Sequence, residues 1–175
     1  MIEQLLQYCG LPSESKMSEE HGLHENHEYQ DLREAGEPGW FDQMWKFEEE
    51  FLSLNLEPDS DEYADFKDMS EVGWMWIDPL VGSSVVALFE AGAVTFTACN
   101  GQEGHFERHP LVAFWCEEDK LPRILSAVES AGIHIDGVKG DSDNYLVVWT
   151  EESLSKMRDF AFELHKLSQE NLSNC

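Results

Sequence analysis

Residues 111–119, LVAFWCEED, and residues 146–153, LVVWTEES, are the two stretches on which the fold turns. Each is an apolar run with β-branched and aromatic side chains, the composition of a strand. Each then sets down a Trp, one further residue, a Glu-Glu pair and a residue able to cap a helix. A second echo lies ahead of each run: Phe89-Glu90-Ala91-Gly92 and Glu129-Ser130-Ala131-Gly132 both end a helical pattern and lead into another strand. Glycine suits that place because it enters left-handed backbone without steric cost.

Working outward, Val72–Ile77 reads as a strand, and Asp78-Pro79 opens a helix running to Ala91. Ala93–Cys99 is a strand, Asn100–His109 a loop and Leu111–Cys116 a strand. Asp119 is placed to cap a second helix, with Pro122 in its first turn. Ile133–Val138 and Tyr145–Thr150 are strands around a Gly140-Asp141-Ser142-Asp143 turn. Thr150 is placed to cap the last helix, whose stripe is Leu154, Met157, Ala161 and Leu164. The order is β-αββ-αββ-α, an α+β fold with a largely antiparallel sheet covered by helices on one face. The Trp and acidic pair, matched in register, point to an internal duplication; shared helix-capping grammar is the alternative. Gly92 to Trp115 spans 23 positions and Gly132 to Trp149 spans 17. The first hairpin is thus six residues longer, an excess assigned to Cys99–His109, and loops longer than their scaffold needs often carry function.

Residues 71–175 form this α/β domain, and residues 1–70 form an acidic, mainly helical N-terminal arm. The arm opens with a short helix ended by Gly10 and Pro12, then a polar stretch with His21, His24 and His27. That spacing drifts around a helix, so the three do not converge on one ion. Trp40, Phe41, Met44, Trp45, Phe51 and Leu52 recur at helical spacing, with Glu48, Glu49 and Glu50 assigned to the opposite side. Two Trp on one helical face call for a surface to dock on. Residues 57–70 read as an acidic connector anchored by Tyr63 and Phe66.

Charge narrows the function classes. The chain of 175 residues carries 36 Asp and Glu against 11 Lys and Arg, a formal charge of −25. Residues 1–70 hold 19 acids and 4 bases, so the acidity is densest in the arm. Such a field repels phosphate backbones, which argues against nucleic-acid binding, and attracts basic proteins. Four scattered cysteines do not form a disulfide framework. The start MIEQLLQYCG lacks the pattern of a signal peptide, and no apolar run is long enough for a membrane span. A cytoplasmic protein without membrane attachment is expected.

Two places are candidates for function. The first is the arm's acidic run, Asp59, Asp61, Glu62, Tyr63, Asp65, Phe66 and Asp68, whose carboxylates would meet a basic partner around aromatic anchors. The second is the loop with Cys99, Asn100, Gly101, His105, Arg108 and His109. With Cys116 it has the spacing C-x5-H-x3-H-x6-C, two thiolates and two imidazoles that suit tetrahedral zinc. The same residues suit a nucleophilic thiol, with His105 or His109 as base and backbone amides near Asn100-Gly101 as anion donors. Cys116 in its apolar run also reads as a small buried side chain, and His134, between two Ile of a strand, as solvent-facing. Asp59-x-Asp61 and Asp141-x-Asp143 lack the glycine of a calcium loop. No phosphate-binding loop, nucleophile elbow or zinc-protease motif occurs. No cofactor is expected. The leading expectation is an acidic binding protein that neutralises a basic protein, in concrete form an immunity-type inhibitor of a bacterial toxin or nuclease. A small enzyme or a ligand- or metal-binding module using the Cys99–His109 loop is the alternative.

Overall fold

Two hairpins build the sheet, and the way they meet explains the repeat. The computed structural model describes residues 2–11, 39–57, 60–69, 77–78, 80–101, 108–140 and 143–172. The first unit is helix α4 (Gly82–Glu90), strand β1 (Val94–Cys99) and strand β2 (Leu111–Trp115); the second is α5 (Leu121–Ala131), β3 (His134–Lys139) and β4 (Asn144–Trp149). Helix α6 (Leu154–Leu172) follows. Ahead of them stand α1 (Ile2–Leu5), continued by a 3-10 turn through Tyr8, α2 (Trp40–Leu54) and α3 (Asp61–Asp68). The expected first strand, Val72–Ile77, lies outside the described residues except for Ile77.

The sheet order is β1-β2-β4-β3 and every pair is antiparallel. Matching Trp115 with Trp149 makes Ala113 the counterpart of Val147, and these two residues pair directly across the β2–β4 seam. The flanking pairs, Val112 with Val148 and Phe114 with Leu146, exchange under the same match. A local two-fold axis therefore passes through the middle of the sheet. The helix ends obey it too. Ala93 N–H reaches Leu88 C=O at 2.9 Å, Ile133 N–H reaches Val128 C=O at 3.2 Å, and the glycine between has φ 87° at Gly92 and 68° at Gly132. Six-to-one closure around a left-handed glycine satisfies carbonyls that a helix end leaves open. The sequence repeat is a structural repeat.

The six-residue asymmetry divides differently from the expectation. One of the six is Phe96, where the β1–β2 register shifts between Thr95 and Thr97 while β3–β4 runs without a shift. The other five lie in the connection between Cys99 and Leu111, compared with the one between their counterparts Val138 and Tyr145. The shift bends an edge strand and turns the Phe96 ring onto Trp115, 4.1 Å between centroids.

One face of the sheet belongs to the helices. Val112, Phe114, Leu146 and Val148 share a buried cluster with Leu121, Ile124, Ala127 and Val128 of α5 and Met157, Phe160, Ala161 and Leu164 of α6. Both helices bury one stripe at three- and four-residue spacing, so each lays a continuous apolar ridge on the strands. α6 touches both α4 and α5, and Ser84 Oγ donates to Met157 C=O at 2.8 Å.

Three helix starts differ from the sequence reading. Leu80 has φ 70°, so no helix runs through it from Asp78, and α4 begins at Gly82. Asp119 bonds Lys120 at 2.7 Å instead of capping α5. Thr150 accepts from Glu152 N–H at 3.1 Å, a local turn ahead of an α6 that starts at Leu154. The acidic connector is itself largely helical: Ser60 Oγ accepts from Tyr63 N–H at 3.1 Å and caps α3.

The arm helix α2 docks on α4 and α6. Phe41, Met44, Phe47 and Phe51 are buried in the common cluster. Phe41 stacks on His165 of α6 at 3.9 Å, and Trp45 lies beneath the Arg158 guanidinium, also at 3.9 Å. Glu48 corrects the helical reading, because it is fully buried instead of facing solvent with Glu49 and Glu50. Its spacing explains this: positions 41, 44, 48 and 51 form one helical stripe. Glu48 accepts from Ser83 N–H at 3.0 Å, at the start of α4, and from Arg158 Nε at 3.2 Å. The carboxylate thus caps a neighbouring helix that has no side-chain cap of its own.

Burial raises the Glu48 carboxyl above its ordinary value despite these donors, and burial likewise raises Glu90 beside His165. A carboxyl raised on folding holds its proton more tightly in the folded chain, so its contribution is full below the unfolded value and fades as pH climbs through the folded one. These two groups are therefore expected to contribute more stability on the acid side of their raised values than on the alkaline side, the opposite sign from a salt-bridged acid whose value is lowered. Melting curves from about pH 8 to about pH 5 check it, and Glu48→Gln should remove that residue's share of the pH dependence.

Candidate functional site

The acidic run sits on α3 with its two sides sharply divided. Tyr63 is buried edge-on against Phe51, centroids 5.3 Å apart, and Phe66 stacks on Phe47 at 4.9 Å. Both aromatics expected to anchor a partner are instead turned inward and hold α3 to α2. Asp61, Glu62, Asp65 and Asp68 are exposed, and Lys67 is the basic residue among them. Asp59 lies outside the described residues. On α2, Asp42, Glu49 and Glu50 are exposed beside Lys46. The helical spacing that buries 63 and 66 is what turns the carboxylates outward.

The second candidate lies on the opposite side of the molecule's sheet from the helices. Cys99 pairs with Leu111, Leu111 with Trp149 and Trp149 with His134, so these four residues form one row across all four strands. Paired residues share a face, and this one points away from the helix layer. Trp149 is flanked by His134 at 4.6 Å and His109 at 5.7 Å between ring centroids, and its Nε1–H donates to Asp136 at 2.6 Å. At the Cys99 end, Gly101 N–H donates to Cys99 Sγ at 3.4 Å, and Asn100, itself buried, donates its N–H to Asp78 at 3.2 Å. Arg108 and His109 are exposed, and His105 lies outside the described residues.

The zinc arrangement does not form. Cys116 is five residues beyond Leu111, about 17 Å along the strand at the usual rise, and faces the helix layer instead of the row. It packs there as a buried thiol, held protonated by burial. Among the described residues no cluster of three or more His, Cys, Asp or Glu is arranged to hold a metal. No helix among them is long and apolar enough to cross a membrane.

Two features among the described residues escaped the sequence reading. Glu48 carried a signal in its heptad-like spacing, masked by the two exposed acids beside it. The Trp149–His134–Asp136 group carried only the alternation of its strands, which sets the face but not the pairing between β3 and β4. Compared with protein-family models, curated proteins and solved structures, the chain matches none of them.

Proposed function

We propose that this protein binds and neutralises a basic protein partner through the outer side of α2 and α3. Its most concrete form is an immunity-type inhibitor of a bacterial toxin or nuclease acting in the cytoplasm. The observation that carries the reading is the division of α3: its aromatics are used within the fold, while Asp61, Glu62, Asp65 and Asp68 stand in solvent on a rigid support. Carboxylates carried on a packed helix have an ordered backbone beneath them, so little backbone order is lost when a cationic surface arrives. The formal charge of −25 adds long-range steering towards such a surface and away from nucleic acid.

The test is a four-fold neutralisation, Asp61→Asn, Glu62→Gln, Asp65→Asn and Asp68→Asn together. Basic proteins retained by the immobilised chain at about 50 mM salt should be released as salt rises, because screening lengths shrink. The neutralised chain should bind roughly tenfold or more weakly with an unchanged melting temperature. Equal retention by both chains would sink the proposal. A second reading rests on the Cys99–Leu111–Trp149–His134 row, which is suited to a small ligand or a reactive thiol and needs no part of the arm.

A further inference from the structure

The start of the chain is fastened to the end of β2 by two neighbouring cysteines. Gly10 N–H donates to Cys116 C=O at 2.8 Å, which sets the Cys9 side chain, whose thiol donates to Leu5 C=O at 3.9 Å, next to that of Cys116. Nearby contacts hold the segment in place. Asn144 Nδ2 donates to Gln7 C=O at 3.0 Å, and Tyr8 lies flat where Gly137 has no side chain, space that a Cβ would fill. Each α-carbon is about 2.4 Å from the peptide atom that shares the Gly10–Cys116 bond, so the two α-carbons lie within about 7.6 Å. That ceiling overlaps the about 4.4–6.8 Å between disulfide α-carbons, so closure needs side-chain rotation and at most a small shift of the N-terminal segment.

We propose that Cys9 and Cys116 are an oxidative modification site, closing to a disulfide that clamps the N-terminal segment onto the β2–α5 junction. The oxidant is a low-molecular-weight disulfide such as oxidised glutathione. The Cys9 thiolate, on the more accessible of the two residues, attacks one glutathione sulfur. That S–S bond breaks, and a glutathione thiolate leaves and takes up a proton. Cys116, buried beside it, attacks the Cys9 sulfur of the mixed disulfide as its proton passes to the departing glutathione thiolate, which leaves as the second glutathione thiol. Two protein thiols and one small disulfide become one protein disulfide and two glutathione thiols. Burial raises both thiols above their ordinary values, so little thiolate is present near neutrality and the exchange is slow, quickening as pH rises.

The inference is independent of the acidic surface and is tested on the full chain. After exposure to oxidised glutathione, two of the four cysteines should lose thiol reactivity and the intact chain should become lighter by two hydrogens. A non-reducing tryptic map should join peptide 1–16 to peptide 109–120. Cys116→Ala should trap Cys9 as a stable glutathione adduct, while Cys9→Ser, which alters the less buried residue, should leave Cys116 unmodified. A persistent adduct on the unaltered chain, a cross-link to Cys99 or Cys175, or an unchanged thiol count would each overturn the proposal. The wild-type map decides the matter even if Cys116→Ala fails to fold.

Discussion

Replacing Glu48 by alanine should destabilise the chain by about 3–5 kcal/mol, the range for stripping one member from a buried ion pair. Three things fail together in that variant. Arg158, whose side chain is only 14% exposed, loses its counter-charge while still pressed over Trp45. Ser83 N–H at the start of α4 loses its acceptor in a place without water. A gap also opens between α2 and α4, where the methylenes of Glu48 lay. Glu48→Gln should cost less, because the amide oxygen still accepts from Ser83. Replacing both partners by methionine should recover much of the loss, since two apolar side chains need no desolvation. Chemical denaturation of the parent chain, Glu48→Met, Arg158→Met and the double variant, read as a double-mutant cycle, measures this. Additive losses would show that Glu48 and Arg158 do not act as a pair.

The second large effect is expected at Phe160. This ring is fully buried on α6, the helix that meets both α4 and α5. Phe160→Ala should cost about 3–5 kcal/mol, the transfer term plus a cavity that two helices and a sheet cannot all collapse to fill. Phe162, two residues on, is 50% exposed and tilts against Trp45 at 5.8 Å. Phe162→Ala should cost about 1 kcal/mol or less. Similar losses at both positions, by urea denaturation, would contradict the placement of α6.

The α/β part was legible because its signals are local and repeated. Short apolar runs at 111–116 and 145–149, and glycines at 92 and 132, mark elements by residue type alone. Strand pairing was not legible in the same way, since nothing in a single strand tells β2 to meet β4 instead of β3. The repeat supplies that information only afterwards, when the Ala113–Val147 pair falls on the two-fold axis. Helix starts failed where an isolated backbone feature, such as Leu80 at positive φ, overrode a good capping residue. The two aromatics of the acidic run were misplaced for a different reason. The charge of the run suggested a solvated connector, while its two aromatics at a helical spacing of three are a packing signal against α2. The loop candidate was read as one site, but Cys116 lies at the far end of β2 on the other face, a distance that spacing along the chain does not reveal.

Where the partner sits is the question on which the account depends. Hydrogen exchange of the chain, alone and in complex with the basic protein it retains, measures this directly. Slowed exchange is expected to be confined to the amides of Asp61–Asp68 and the exposed turns of α2, with β1 to β4 unchanged. Protection centred on Leu111, Trp149 and His134, with α3 unaffected, would contradict it and place the binding surface on the face of the sheet away from the helices.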